Sequence, residues 1–566
     1  VKKHPGHALL LVALLVSASV FATAGGFQID TDPQSGITIV VQAVFNPPEP
    51  NGSAAVRVRI NNGSRADSQW ILNFQSPGGY RPGRSQNVNS KFSARVAAGS
   101  EREFECLVPM QTSVDGGYGS LLSLNCSGPG VRNGEHPFPS PSRSGGRNIG
   151  TAGFSEKLIA RQQEDLKAAL KAKGIEENFS VGDPARIPAD WRVLSAFDQL
   201  WIADGEWDAF PAGVRLAIGQ WVATGGELIK CSSGAAGADE KSGLGEVSSF
   251  PTAADGSLDL EQLIKRMERP GSTFRKSLGS YTKGWPDKAW IPPYSANAPL
   301  LILVIILFGA VVGPINFFMF AGKEKRARIF WTTPLISIVG TLVIGITIFA
   351  QDGFGGWGKR LALIVIQPEH HSEVVVQEQA SKTGVLLASG FVLDPAAMIR
   401  QLPTTQRTVN CSVAGNEYAG DWFQSRSVQG QLITAVRPSR AKIQLLNAEE
   451  VAAGKPPRIL SQIDAQLDRV YLRTVGEKVF RADDVGPGHE VTMRPEALKD
   501  AKSTLDKEFF QADGPLSQVA PGYPPLEKEI FYALSKSAGG AMIPTLEAIR
   551  WTDDRAVYIC PTNRNP

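Results

Sequence analysis

Pro299-Leu-Leu-Ile-Leu-Val-Ile-Ile-Leu-Phe-Gly-Ala-Val-Val-Gly-Pro-Ile-Asn-Phe-Phe-Met-Phe320 is followed by Ala321-Gly-Lys-Glu-Lys-Arg-Ala-Arg328 and then by a second apolar run, Ile329 to Ala350. As a helix, each run can cross a hydrocarbon core, which takes roughly 20 residues. The first span reads as 299–321, the connecting loop as 322–328 and the second span as 329–350. The loop carries Lys323, Lys325, Arg326 and Arg328 against a single Glu324. A short basic loop stays on the cytoplasmic side, so the soluble residues before and after the hairpin are expected on the extracytoplasmic face. Within the hairpin, Gly309 and Gly313 form a small-xxx-small face for helix packing, and Pro314 is expected to kink the first span. Asn316 is the strongly polar side chain at depth, with Ser337 or Thr341 as partners across the hairpin. A transport path needs more polar or charged groups than this.

Upstream, 271–298 reads as a juxtamembrane linker in which Tyr281, Trp285, Trp290 and Tyr294 form an aromatic collar at headgroup level. Residues 1–24 combine Lys2 and Lys3, an apolar run from Ala8 to Val20 and an Ala22-Thr-Ala24 site, the pattern of a secretory signal peptide. An uncleaved anchor helix is the other reading, and it leaves the topology unchanged.

At 566 residues the chain exceeds what one core organises, and three or four units are expected. Gly 57 and Pro 38 are high counts that favour β-rich domains with many turns. The formal charge of +3 comes without a long basic run, which excludes nucleic acid as the expected partner.

From 27 to 140 the apolar period is two. Ile37, Ile39 and Val41 open it; Val56, Val58 and Ile60 alternate with Arg57, Arg59 and Asn61; Trp70, Leu72 and Phe74 follow. Asn61-Asn-Gly63 and Pro77-Gly-Gly79 break the runs as turns. An antiparallel sandwich of immunoglobulin-like type is expected. Cys106 and Cys126 both fall on the inward phase of what read as neighbouring strands. Two readings stand for them: a disulfide, or two small buried hydrophobes.

Residues 148–270 change period. Leu158, Ile159, Leu166, Ala169 and Leu170 share one helical face from Ser155 to Ala172; strands at Gln199–Ala203 and Glu227–Cys231 flank a helix near Ala212–Thr224, and a further helix runs from about Leu258 to Arg269. Helices alternating with short apolar strands imply a parallel sheet with helices on its faces. Asp204-Gly-Glu-Trp207 follows the Leu200 strand at the carboxyl edge of that sheet, which makes Asp204, Glu206 and Trp207 the candidate contact surface.

Pro188-Ala-Asp-Trp191, Phe197-Asp-Gln-Leu-Trp-Ile202 and Ile218-Gly-Gln-Trp-Val-Ala-Thr-Gly-Gly-Glu-Leu-Ile229 resemble the class I glutamine amidotransferase-like, flavodoxin-like domains of uncharacterised, membrane-anchored bacterial envelope proteins. In such proteins a membrane helix similar to Gly313-Pro314-Ile315-Asn316 often follows. The likeness covers about a fifth of the chain, or about a third with the hairpin added. It implies a fold and a cell-envelope setting at the cytoplasmic (inner) membrane, and it is silent on activity. An amidotransferase thiol sits on a G-x-C-x-G elbow beside a histidine base. Around Cys231 the glycine positions are Ile229 and Ser233, and no histidine occurs between His136 and His370.

From 360 to 566 a second β-rich extracytoplasmic domain is expected, with strands at Leu361–Ile366, Glu373–Val376, Val385–Leu387, Gln431–Ile433 and Lys442–Leu446. A hairpin joins Arg469–Arg473 to Lys478–Arg481, a helix spans about Leu526–Lys536, and a last hairpin turns at Asp553-Asp554. There is no Walker-type loop, dinucleotide fingerprint or zinc spacing, so no cofactor or metal is expected. Two functional classes remain. One is a non-enzymatic envelope protein that displays binding or scaffolding domains to an envelope partner. The other is a thiol-dependent hydrolase or transferase in the middle domain.

Overall fold

The computed structural model describes residues 26–48, 52–77, 86–111, 122–139, 151–174, 179–233, 239–268, 291, 298–320, 326–402, 409–508 and 526–562. The leader at 1–24, the aromatic collar, and Lys323 and Lys325 of the basic loop lie outside the described residues.

The period-two runs become strands: β1 (Ile37–Ala43), β2 (Phe45–Asn46), β3 (Ser53–Asn62), β4 (Ser68–Ser76), β5 (Gln86–Val96), β6 (Ser100–Pro109) and β7 (Ser123–Ser127). A four-stranded antiparallel sheet orders the edge strand Phe27–Gln28 beside β1, β3 and β6. The facing sheet is built on β5, β4 and β7. Ile39, Val41, Val56, Val58, Trp70, Leu72 and Phe74 close the space between them, all fully buried, because alternate residues of a strand point to one face. Cys106 lies on β6 and Cys126 on β7, which belong to opposite sheets. The shared inward phase holds, but the strands are not neighbours, and both cysteines are free buried thiols rather than a disulfide.

The middle segment forms β8 (Ala152–Ser155), α1 (Gln163–Ala172), β9 (Phe179–Gly182), β10 (Gln199–Ile202), α2 (Ala212–Ala223), β11 (Glu227–Ser232), β12 (Gly245–Pro251) and α3 (Leu260–Met267). The single helix expected from Ser155 is instead the end of β8, a one-turn helix Glu156–Ile159 and α1. Parallel pairings order the strands β9-β8-β10-β11-β12, which is the 2-1-3-4-5 order of one class of doubly wound sheets. Leu166 and Leu170 of α1 and Leu263, Ile264 and Met267 of α3 cover one face over Phe154, Trp201 and Ile229. Val214, Ile218 and Trp221 of α2 cover the other over Leu200 and Leu228. The side chain of Asp259 caps α3 by accepting from Glu261 N at 3.0 Å and Gln262 N at 3.2 Å. β2 extends the sheet antiparallel to β9, and a side chain at residue 182 would collide with the Val44 carbonyl, so Gly182 permits that closure.

The hairpin forms α4 (Ala298–Ala310), continued by a π-helical stretch Val311–Phe320, and α5 (Ile329–Asp352). Both are long and apolar enough to cross a membrane, and they carry large exposed apolar side chains: Phe318 is 73%, Trp331 83% and Leu335 62% exposed. Pro314 sits inside the π stretch; lacking an N–H, it is accommodated by the wider turn. Asn316 is buried and donates Nδ2 to Thr333 Oγ1 at 2.9 Å, so its partner is Thr333 rather than Ser337 or Thr341. Gly309 and Gly313 have open space where a Cβ would stand. The close approach occurs instead at Gly340, against the Phe308 ring, so the expected small-xxx-small face is not the contact. Arg326 and Arg328 are exposed at the start of the second helix.

After the hairpin come β13 (Gly356–Gln367), β14 (Ser372–Thr383), β15 (Ala397–Gln401), β16 (Val409–Ala414), β17 (Val428–Pro438), β18 (Leu467–Arg473), β19 (Val479–Val485), α6 (Leu498–Glu508), β20 (Ile530–Ser535) and β21 (Ile549–Pro561). A nine-stranded sheet runs β15-β17-β14-β13-β21-β20-β18-β19 and ends on a short strand, Arg494–Glu496. Three expectations fail here. Residues expected as a helix at 526–536 contain β20, because Phe531, Ala533 and Tyr532, Leu534 fill the cores on its two faces. Asp553 and Asp554 lie within β21, where Asp554 takes a two-toothed contact from Arg360 at 2.7 Å rather than forming a turn. Val385 makes a lone bridge to Phe354, not a strand.

The soluble regions are not separate bodies. β16, after the hairpin, pairs in parallel with β5, before it, from Val409↔Gln86 to Val413↔Ser90. One core runs from Phe45 through Leu200 and Trp221 to Leu361, Val376 and Leu432. Arg400 of β15 donates to Ser195 O at 3.1 Å, and Ser53 N donates to Ser195 Oγ at 3.0 Å, so all three regions meet at one point.

Candidate functional site

In an open α/β sheet the natural crevice lies beyond the carboxyl ends of the strands, where the strand order reverses. Here that point lies between β8 and β10. β8 ends at Ser155, and β10 leads through Ala203 into Asp204, Gly205 and a one-turn helix Glu206–Ala209. Gly205 takes a left-handed φ of 72°, which turns the chain sharply enough to carry residue 206 back over the strand ends.

That turn corrects the expected surface. Asp204 is exposed, but Glu206 is only 5% exposed and points inward. Ser155 Oγ donates to its Oε1 at 2.6 Å, and the Ala203 N–H donates to its Oε2 at 2.6 Å. The crevice is thus occupied by the chain's own carboxylate, held by two donors. Trp207 is half-buried against the α2 side of the sheet, and Lys230 Nζ stands 4.4 Å from its ring centroid. Asp204 and Asp208 flank this pair in solvent. Lys230 and Ser155 were missed as partners in the sequence because they come from other strands; only the alternation along β11, which puts Lys230 opposite in face to Cys231, hinted at the first.

Cys231 does not stand on an elbow. It is the fifth residue of β11, paired with Phe250 of β12, and belongs to the core between the sheet and α1 and α3. Burial, and secondarily the Glu206 carboxylate, push its thiol up to about 12. A thiol so raised is protonated at neutral pH and is a poor nucleophile. At the opposite, amino end of the strands, Arg266 of α3 reaches over the sheet. It pairs with Glu227, lies 3.3 Å from Glu246 and donates to Ser248 Oγ at 2.8 Å, while Gln199 Nε2 donates to Glu227 at 2.8 Å. This buried cluster ties three strands to one helix. Among the described residues no three His, Cys, Asp or Glu side chains converge as metal ligands.

No family model and no curated protein matches the chain. Among solved structures, the putative ApaA protein from Bordetella pertussis aligns with 19% of this chain and 93% of its own at 18% identity and a TM-score of 0.12. The yeast delta-COP-I mu-homology domain, solved with a Dsl1 WxWxV peptide, aligns with 36% of this chain and 96% of its own at 7% identity and a TM-score of 0.20. Likenesses this slight carry no argument about fold or function.

Proposed function

We propose that this chain is a non-enzymatic bacterial envelope protein, anchored in the cytoplasmic membrane by the hairpin and presenting its strand-rich body on the extracytoplasmic face to bind another envelope protein. The observation that carries the topology is the pairing of β5 with β16. Strands from before and after the hairpin share hydrogen bonds in one sheet, so they need the same side of the membrane, and two spans return the chain to its starting side. Arg326 and Arg328, with the sequence neighbours Lys323 and Lys325, favour the cytoplasm for the loop between the spans.

The strand order β9-β8-β10-β11-β12 with helices on both faces supports a flavodoxin-like, amidotransferase-like middle domain. Cys231, buried within a strand, argues against the thiol-dependent hydrolase or transferase reading. Asp204 and Trp207 at the carboxyl edge are the proposed contact surface; Glu206 acts beneath it by fixing the turn. An impermeant maleimide applied to intact cells should spare Ala327→Cys and label an added cysteine at Asp204, and labelling of position 327 would refute the topology. Cross-linking in membranes should lose the partner band with Trp207→Ala and keep it with Cys231→Ser. Loss of function in a folded Cys231→Ser protein would favour the enzyme.

A further inference from the structure

The nine-stranded sheet ends in a cleft of about 800 Å³ that the scaffold reading does not use. Its walls come from three places: the turn between β13 and β14, with Pro368 and His371; the segment leaving β17, Pro438 to Lys442; and Gln462. Backbone bonds pin them together, with Ser439 N donating to His371 O at 2.9 Å and Gln462 N donating to Lys442 O at 2.9 Å. His371 holds a left-handed φ of 47°, uncommon for a residue with a side chain, at the point where the β14–β17 ladder stops.

Pro368, Pro438 and Ala441 make the apolar part of this lining, and His371, Arg440, Lys442 and Gln462 bring the donors. Arg440 is exposed and Lys442 half-buried, and no carboxylate among the described residues lines the cleft. Among the described residues neither Arg440, Lys442 nor His371 has a carboxylate partner, whereas nearby Arg437 is paired to Glu373 at 2.6 Å. Glu369, in the same turn, is exposed and does not line the cleft. The geometry points to a binding site for a small phosphorylated molecule: guanidinium, ammonium, imidazole and the Gln462 amide together offer more donors than a single carboxylate accepts, and a tetrahedral oxyanion can use them. The volume lies in the range of ligand clefts, roughly 300–1,000 Å³, and leaves room for an organic part against Pro368 and Pro438. A lipid headgroup is the other source of phosphate. β13 starts four residues after the second membrane helix and runs 12 residues to the cleft. At about 3.3 Å per residue this is a long reach from the helix end, which favours a free anion.

The test is calorimetric titration of the full chain in phosphatidylcholine nanodiscs with inorganic pyrophosphate. Saturable binding is expected, unaffected by excess acetate, and about tenfold to a hundredfold weaker in Arg440→Gln/Lys442→Gln. Neither side chain has an ion-pair partner among the described residues, so the variant should keep the parent's thermal unfolding. If it does not, Arg440→Gln alone carries the test. Arg59→Gln, in another sheet, should bind as the parent does. No saturable heat at millimolar pyrophosphate, or equal weakening by Arg59→Gln, overturns the site. Weaker pyrophosphate binding in phosphatidylglycerol nanodiscs than in nanodiscs given the same negative surface charge by oleate would give the cleft to lipid headgroups and overturn the free-anion assignment.

Discussion

Replacing Arg266 with methionine tests whether the amino ends of the parallel strands are held by charge. Methionine keeps the apolar stem and removes the guanidinium. Glu227, whose side chain is 8% exposed, would then keep only Gln199 and Ser248 as partners, with the Glu246 carboxylate still close. Removing one member of a buried ion pair costs about 3–5 kcal/mol, because the remaining charge is left uncompensated. Since α3 is fastened to β10, β11 and β12 through this cluster, the cost should appear as local opening rather than loss of the nine-stranded sheet. Hydrogen exchange followed by mass spectrometry on the full chain in detergent reads it directly. Peptides from 199–202, 227–232 and 245–251 should exchange on the order of 10²-fold to several thousandfold faster, at about 1.4 kcal/mol per tenfold, while peptides from 356–367 stay unchanged. Arg266→Met combined with Glu227→Gln removes the stranded charge and should recover most of the protection. Exchange within about threefold of the parent in the single variant, or no recovery in the double, would refute the reasoning.

Glu246 in the same cluster sets a pH dependence. Burial, then the Glu227 carboxylate, raise its pKa above the ordinary 4.5 against the pull of Arg266. The folded state binds this proton more tightly than the unfolded chain, so its stabilisation is complete below the unfolded value and lost as pH rises through the folded one. Glu246→Gln should flatten that decline, and parallel stability curves for parent and variant above about pH 4.5 would contradict it. Burial lifts the Cys106, Cys126 and Cys231 thiols to about 12 each. A thiol reagent at neutral pH should leave all three unmodified in the folded protein and react with them in denaturant; fast native labelling of Cys231 would overturn its assignment as an inert core thiol. In the hairpin, Gly340→Leu should force the Phe308 ring aside and lower the melting temperature in detergent, with Phe308→Ala restoring it. An unchanged melt in Gly340→Leu would mean the helices do not meet there.

Local chemistry was enough for whatever depends on neighbours in the chain. Two apolar runs and a basic turn defined the hairpin, since crossing length and loop charge are read along the sequence. Alternation at Val56, Val58 and Ile60 gave both the strand and its buried face, because a pleated chain has a period of two. The middle segment was partly legible: α2, β10 and β11 announced themselves, while Ala152-Gly-Phe-Ser155 was too short to show a period, and its last residue reads as the start of the helix behind it. Tertiary structure decided which faces meet. Nothing near Gln86 or Val409 encodes their pairing across 323 positions, nor that Cys106 and Cys126 enter one core from different sheets rather than from neighbouring strands. Glu206 and Asp204 look alike in sequence; a left-handed Gly205 and two donors, Ser155 at the end of β8 and Ala203 just after β10, turn one inward and leave the other in water. The His371, Arg440 and Lys442 cleft likewise forms only when two strand ends come together, because an inter-strand register fixes positions that no periodicity within either strand contains.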